Sequence, residues 1–545
     1  MGSKFKFNKY INIGAESAED DKEYLSSCYI DTGMLDVLKN TNHPGRIVAG
    51  RTGTGKTALL IKLEESKENV VWIEPDELSL QYISNSTIIN YLEKNNVNLD
   101  IFYKLLWKHV FVIELIKQKY DIKNESDQEN FFKKIFGKYF NDKRKKEAFD
   151  YLNKWGEKFW ESTEYRIKEV INKLENDIQA KSSASLKDLM TNTNFSGEAS
   201  SRKKVTGEEK GEILYKAQQI VNSVQIKKLS KVIKTLADDE FSDRQKSYYI
   251  IIDRLDERWI DDSIRYKLIR ALIEAIKDLK KINTAKIIIS LRRDLIYTVF
   301  RKTRSPGFQE EKYQSLFINI EWSKYELLDV IDKRLAELVK HKYTTKKVTW
   351  SDFFPKGVNK IPIDNYLVER SLYRPRDIIN FVNICIKRSS GRSTMLARDI
   401  KDAEAEYSEL RFRAIGDEWI EDYPNLLNCL SFFLQKRKER FSLTEINKNF
   451  IEDFATEIIS STENSNCLIY QICQNVWDNS ISFDDARRKF VIIFYMVGAI
   501  GIRKDNRGVS WSFKEDNILQ SSEITGSERV EIAPMFFRVL GISPE

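Results

Sequence analysis

The chain runs to 545 residues, of which 41% are hydrophobic and 31% charged, with 21 Gly and 9 Pro. That length corresponds to roughly three or four domains at about 150 residues each, and the composition excludes a disordered or fibrous chain. Lys and Arg (89) exceed Asp and Glu (82) by 89 − 82 = 7, which permits a basic patch but does not indicate a nucleic-acid coat over the whole protein.

The first residues, MGSKFKFNKYINIG, lack the apolar stretch of a secretory signal, and no apolar window of about 18 residues suited to a membrane span occurs. No membrane partner is expected. The five cysteines (Cys28, Cys385, Cys429, Cys467, Cys473) form no CxxC pair, and His43, His109 and His341 lie far apart. That pattern argues against a zinc site and for reduced thiols in a cytoplasm.

In chain order, a short strand at 47–49 runs into a glycine-rich turn and a helix. A second strand at Val70–Ile73 ends at Glu74-Pro75. From about 91 to 240, Lys, Glu and aromatics recur at helical spacing, with little strand signal. Phe102, Leu105, Leu106, Val110, Val112 and Ile116 predict one long helix. Residues 182–201 read as a polar, mobile break. Leu214, Ala217, Val221, Val224, Leu229, Val232 and Leu236 mark another amphipathic helix. Strands return at 248–252, 287–291 and 316–320, with a helix at 264–279 between the first two. Strands separated by helices imply a parallel, helix-covered sheet. The strands on either side of 91–240 belong to one sheet in this reading, which makes the helical stretch an insertion. Residues 325–415 read as a helical lid carrying Arg374-Pro375-Arg376-Asp377. In 416–545, helices at 425–436 and 484–497 precede two short strands around the turn 504–508, a hairpin signal that suggests a winged-helix-like domain. The expected organisation is therefore 1–90 (first half of the core), 91–240 (insertion), 241–324 (second half), 325–415 (lid) and 416–545 (winged-helix-like domain).

One motif carries chemistry directly. Gly50-Arg51-Thr52-Gly53-Thr54-Gly55-Lys56-Thr57 matches GxxxxGK[ST] in full, between a strand and a helix that continues at Ala58. Such a loop turns backbone N–H groups inward around phosphates, and the helix aims its positive end at them. Lys56 would face the β- and γ-phosphates, and Thr57 would offer its hydroxyl to Mg²⁺. The apolar strand YYIII ends in Asp253, where such a sheet needs a carboxylate for the Mg²⁺ shell. Asp256 and Glu257 would orient or deprotonate a water, or else cap the next helix or pair with Arg254 and Arg258. Arg292 and Arg293 at the tip of a later strand would sense the γ-phosphate or reach a neighbouring subunit's nucleotide; the alternative is two surface arginines, one paired with Asp294. Arg374 and Arg376 would reach the nucleotide from the lid, or simply flank a helix start at Pro375.

The string GRTGTGKTALL…YYIIIDRLDERW…IIISLRRDLIY…RPRDIINF resembles the bacterial STAND- and KAP-like P-loop ATPases, a group that includes compact defence-associated members. The lead-in at 13–20 and 29–33 is similar too. The resemblance covers 10–75 and 245–410 and, more loosely, the carboxyl-terminal part. It implies an α/β fold of the additional-strand (ASCE) P-loop NTPase type: a parallel five-stranded sheet of order 5-1-4-3-2, a large helical insertion, a helical lid and a winged-helix-like domain. It implies ATP and Mg as cofactors, with Lys56, Thr57 and Asp253 on them, and Asp256-Glu257 as the downstream acidic pair. Arg254 stands where Gly or Asp is more usual. It also implies a homo-oligomerising switch, in anti-phage defence and with a co-encoded effector protein.

Two functions compete. The first is a regulatory, slow ATP hydrolase of that kind; no NKxD-type guanine reader follows the core, which favours ATP. The second is a nucleic-acid-handling ATPase binding DNA through residues 485–496 as a recognition helix, with Arg503, Lys504 and Arg507 on the wing. Against it, most of 490–500 is apolar, as in a buried helix. The basic runs 143–146 and 202–204 read as solvated faces before phosphate tracks. Residues 91–240 carry no HxxxH, His set or PD…ExK run that would mark a nuclease. Their aromatics (Trp107, Phe131, Phe132, Phe136, Trp155, Trp160) read as core, with a protein-binding face as the alternative.

Overall fold

The computed structural model describes residues 5–75, 86–94, 97–155, 226–243, 245–257, 259–260, 262–304, 309–340, 348–461, 467–503, 508–514, 519 and 521–543, with isolated positions between 168 and 215. The loop at 182–201, the basic run 202–204, Trp160 and the turn 504–507 lie outside them. The chain divides into two compact units. One comprises Thr32–Gly50 and Leu59–Asn319; the other comprises Met1–Asp31, Arg51–Ala58 and Ile320–Glu545.

The first unit is built on a parallel sheet. Its strands are β1 (Ile47–Gly50), β2 (Val70–Ile73), β3 (Tyr248–Ile252), β4 (Ala285–Arg292) and β5 (Phe317–Asn319), in the order β2-β3-β4-β1-β5. Read from the other edge this is 5-1-4-3-2, the additional-strand P-loop order. All four pairings are parallel. The near-continuous apolar runs follow from burial on both faces: every residue of β3 is buried. Strands β2 and β3 pair directly, Val70 with Tyr249 through Ile73 with Ile252, although more than 170 residues separate them. Residues 74–247 thus run between two neighbouring strands of one sheet.

Strand β4 extends two residues upstream of the apolar run that marked it. Lys286 continues the pairing opposite Tyr249 because its amine donors are satisfied internally: Nζ donates to Val37 O (2.6 Å) and Asn40 O (2.9 Å). Burial, with Arg46 nearby, pushes this amine down to about 7.

The described helices between β2 and β3 share one core with the sheet. The helix Asp100–Tyr120 packs along Asp262–Leu279, and Trp107 Nε1 donates to Leu268 O at 3.0 Å. Phe131, Phe132 and Trp107 are buried, and Phe136 packs against the same cluster. The helix Ile226–Thr235 continues into a π-turn, Leu236–Glu240. There the buried Glu240 accepts hydrogen bonds from Tyr120, Tyr139 and Lys138, tying the ends of two helices, Asp100–Tyr120 and Glu125–Lys138, to the segment that enters β3. Burial alone would raise this carboxyl; those donors hold it below the usual carboxylate range.

In the second unit, helices Lys324–Val339, Pro375–Arg388 and Ala397–Glu418 share one continuous core with the carboxyl-terminal module. Ser323 caps the first of these in a capping box with Glu326. The module holds a four-stranded antiparallel sheet in the order Val509–Ser510, Ile500–Arg503, Arg529–Ile532, Arg440–Ser442. The expected hairpin is present, and two further strands complete the sheet. The helix Phe483–Met496 buries Phe490, Val491, Ile493 and Phe494, with Phe494 packed 4.9 Å from Phe433. Arg487 in it is buried as well, donating to Leu443 O and Ile446 O. No helix among the described residues is long and apolar enough to cross a membrane. All five cysteines are free thiols and buried.

Candidate functional site

The loop that follows β1 is shaped by what holds its carbonyls. Arg51 O accepts from Thr54 Oγ1 (2.8 Å) and Lys56 Nζ (3.1 Å). Thr52 O accepts from Arg374 Nη1 (3.0 Å), Gly53 O from the backbone N–H of Arg376 (3.4 Å), and Thr54 O from Trp322 Nε1 (2.9 Å). Four successive carbonyls are thus engaged by donors. When carbonyls are drawn off in this way, the intervening amides turn away from them, which is the arrangement of an anion-binding nest. Gly53 (φ 78°) and Gly55 (φ 93°) supply the left-handed turns that this requires. At Gly53 the space is also closed: a Cβ there would lie 2.9 Å from Arg376 Cβ. Lys56 opens the helix Lys56–Glu65, and Thr57 and Ala58 follow in its first turn, all three partly exposed.

The donors to this loop are themselves braced. Arg374 is buried at the start of the helix Pro375–Arg388, where Pro375 takes the first helical position. Its Nε donates to Asp377 (2.6 Å) and its Nη1 to Glu418 (3.1 Å). Asp377 accepts in turn from Arg411 (2.8 Å). Burial works against the charge of Arg374, but Asp377 and Glu418 hold its pKa above the ordinary arginine value. Arg376 is partly exposed, lies across Gly53, and donates from Nε to Glu16 O at 3.3 Å. Of the two lid arginines read from sequence, one is therefore committed to holding the loop. The other lies beside it with part of its surface open.

At the carboxyl edge of the sheet, Gly50 pairs in register with Arg292. Asp253 follows the last residue of β3 and is buried; it accepts a hydrogen bond from Ser290 on β4 and from the N–H of Arg254 (2.9 Å). Arg254 adopts φ 57°, the left-handed region. The backbone here asks for glycine although the residue is arginine, which matches the departure noted in the sequence pattern. Of the acidic pair, Asp256 is partly exposed and 3.9 Å from Arg292 Nε. Glu257 is exposed, 3.8 Å from Arg254 Nε. Arg292 forks onto Asp294 through Nε (3.1 Å) and Nη2 (2.5 Å). Arg293 opens the next helix, Arg293–Lys302, and is partly exposed.

Sequence reasoning missed Trp322, Glu418 and the role of Asp377. Trp322 and Glu418 carry no local signal, because Trp322 meets the loop, and Glu418 the arginine that holds it, only through tertiary packing. Ser290 did carry one: a lone hydroxyl in the otherwise apolar run 287–291.

Residues 325–416 match the family described as the FunZ-associated C-terminal helical domain. A curated relative, the "Putative transposon gamma-delta 80.3 kDa protein" of Escherichia coli (strain K12), is 23% identical over 547 aligned residues, covering 97% of this chain and 67% of that protein. Among solved structures, Cdc6p from Pyrobaculum aerophilum is similar at 11% identity and TM-score 0.27, covering 95% of this chain and 96% of that one. The Aeropyrum pernix ORC2 protein, solved as ADPNP-ADP complexes, is similar at 10% identity and TM-score 0.32, covering 92% and 88%.

Proposed function

We propose that the protein is a Mg-ATP-binding P-loop ATPase that works as a slow, nucleotide-held switch. The observation that carries this reading is the loop whose carbonyls, from Arg51 to Thr54, are all engaged by donors. A phosphate chain would be held by the amides of 53–57, with Lys56 leaving Arg51 O to neutralise the β- and γ-phosphates. Mg²⁺, when bound, would supply positive charge beside those phosphates. By the motif pattern Thr57 and Asp253 would hold it, and Ser290 donates to the Asp253 carboxylate. Asp256 or Glu257 is the group to orient the attacking water. Arg292, Arg293 and Arg376 are the cations to meet developing charge.

The test is steady-state ATP hydrolysis by the purified chain, against Lys56→Ala and Glu257→Gln. Turnover that vanishes in Lys56→Ala supports the reading. Equal ATP binding by wild type and Lys56→Ala refutes it. Glu257→Gln losing about 100-fold in turnover with ATP still bound assigns the base to Glu257, and unchanged turnover moves it to Asp256.

We extend the reading to a homo-oligomer acting with a partner protein. A role in anti-phage defence is supported by the resemblance of the motif string alone. A second reading, an ATPase that handles DNA, is favoured by the relative whose name places it on a transposon. Its recognition element would not be the helix Phe483–Met496 as a whole, since that helix contributes Phe490 and Phe494 to the core. Hydrolysis that rises with added double- or single-stranded DNA, and falls steeply with salt, would select this second reading.

A further inference from the structure

The second position of the GxxxxGKT motif carries a long cationic side chain that leaves the loop altogether. Arg51 Nη2 donates to Val497 O at 3.3 Å, and its guanidinium lies 5.4 Å from the centre of the Phe513 ring. Val497 is the residue that ends the helix Phe483–Met496, where carbonyls lack helical partners and favour a cation. The approach is close because the next residue is Gly498 (φ 80°): a Cβ there would sit 3.1 Å from Arg51 Nη2.

The contact continues back to the loop by a second route. Phe513 packs 5.3 Å from Trp511 and stacks 6.3 Å from Tyr373, with Lys514 Nζ 4.1 Å over the Tyr373 ring. Tyr373 precedes Arg374, the residue that holds Thr52 O. Both Leu372 (φ 47°) and Tyr373 (φ 55°) adopt left-handed backbone that bulky residues avoid. Such strain persists only where the surroundings over-determine it. The side chain of Arg51, the Phe513–Tyr373 stack and the Arg374 contact therefore form a closed circuit through the carboxyl-terminal module, starting and ending on the same loop. The circuit also has an input. Lys56, the amine placed to meet phosphate, donates instead to the carbonyl of Arg51 itself.

We propose that Arg51 is a positioning residue that couples the phosphate loop to the carboxyl-terminal module, so that phosphate in the loop changes how that module is held. When Lys56 turns to a phosphate, Arg51 O loses a donor. The residue that readjusts is the one whose side chain grips Val497 and Phe513. This rests on the ATP reading above. It adds to that reading a route by which the bound nucleotide reaches the module.

The test is amide hydrogen exchange on the full chain, with and without Mg-ATP, read over 494–503 and 508–514. In wild type, ATP should change exchange there by about fivefold, within the usual range of coupling between sites. Phe513→Ala leaves the motif intact and removes a partly exposed ring. It should keep ATP affinity within about threefold of wild type and lose most of the exchange difference. Without nucleotide, Arg51→Ala should speed exchange at 497–499, and Arg51→Lys, which keeps a donor and a cation, should restore part of the protection. Normal ATP binding with no change at the module in wild type would overturn the coupling and leave the ATP reading intact. So would a full nucleotide response in Phe513→Ala. A chain that binds no ATP would overturn both.

Discussion

The phosphate loop and the carboxyl ends of β3 and β4 carry the two halves of one motif pattern, yet they are held in opposite ways. Around Asp253 the contacts are near in the sheet or in sequence: Ser290 from the adjacent strand, Arg254 from the next residue, Arg292 onto Asp294 two residues on. Around the loop they are remote. Arg374 reaches Thr52 from 322 residues away and Trp322 reaches Thr54 from 268. The difference teaches that a motif can state its chemistry locally while its geometry depends on distant parts of the chain. Substitutions should therefore be costlier at the loop's remote braces than at the sheet edge.

The largest effect is expected at Arg374. Arg374→Ala takes a cation from the partly buried Glu418, leaves the buried Asp377 to Arg411 alone and releases Thr52 O, and should lower unfolding stability by about 3–5 kcal/mol. Denaturant midpoints read this directly, and a loss under about 1 kcal/mol would break the comparison. Next comes a pH effect at the opposite edge of the sheet. The Lys286 amine sits at about 7 when folded, against an ordinary 10.5. Between those values the unfolded chain binds more protons, so stability should rise with pH, by on the order of 3 kcal/mol from this group. In Lys286→Met that contribution should vanish, read as the difference between the two proteins' stability–pH curves from pH 7 to about 10.

At the sheet edge the effects are smaller. Ser290→Ala removes the hydroxyl that the buried Asp253 accepts from, at a cost of about 1–3 kcal/mol. A cost equal to that of Arg374→Ala would erase the contrast. Smallest is Arg254→Gly, which relieves a left-handed residue but loosens the unfolded chain. The two terms oppose, leaving a net gain of about 0.5 kcal/mol in thermal or denaturant unfolding.

What was legible follows the same division. The parallel sheet was legible because β3 and β4 carry apolar runs buried on both faces, while the order that sets β2 beside β3 came only with the resemblance of the motif string. The loop was legible because GRTGTGK states its own backbone needs. The strand boundary at Lys286 was not, since its amine donors are satisfied by the carbonyls of Val37 and Asn40. The brace on Thr54 was not, because nothing in the sequence around Trp322 marks an indole aimed at a glycine-rich loop. Arg51 reads as a variable position of the motif. Only the fold shows that its side chain belongs to the carboxyl-terminal module.

The central claim is that the loop is built to receive the phosphates of ATP. Calorimetric titration of Mg-ATP into the full chain, beside Lys56→Ala, tests it most directly. The account predicts saturable one-site binding by wild type and a loss of at least about 100-fold in affinity in the variant. Binding of equal strength in both, or none in wild type, would contradict it.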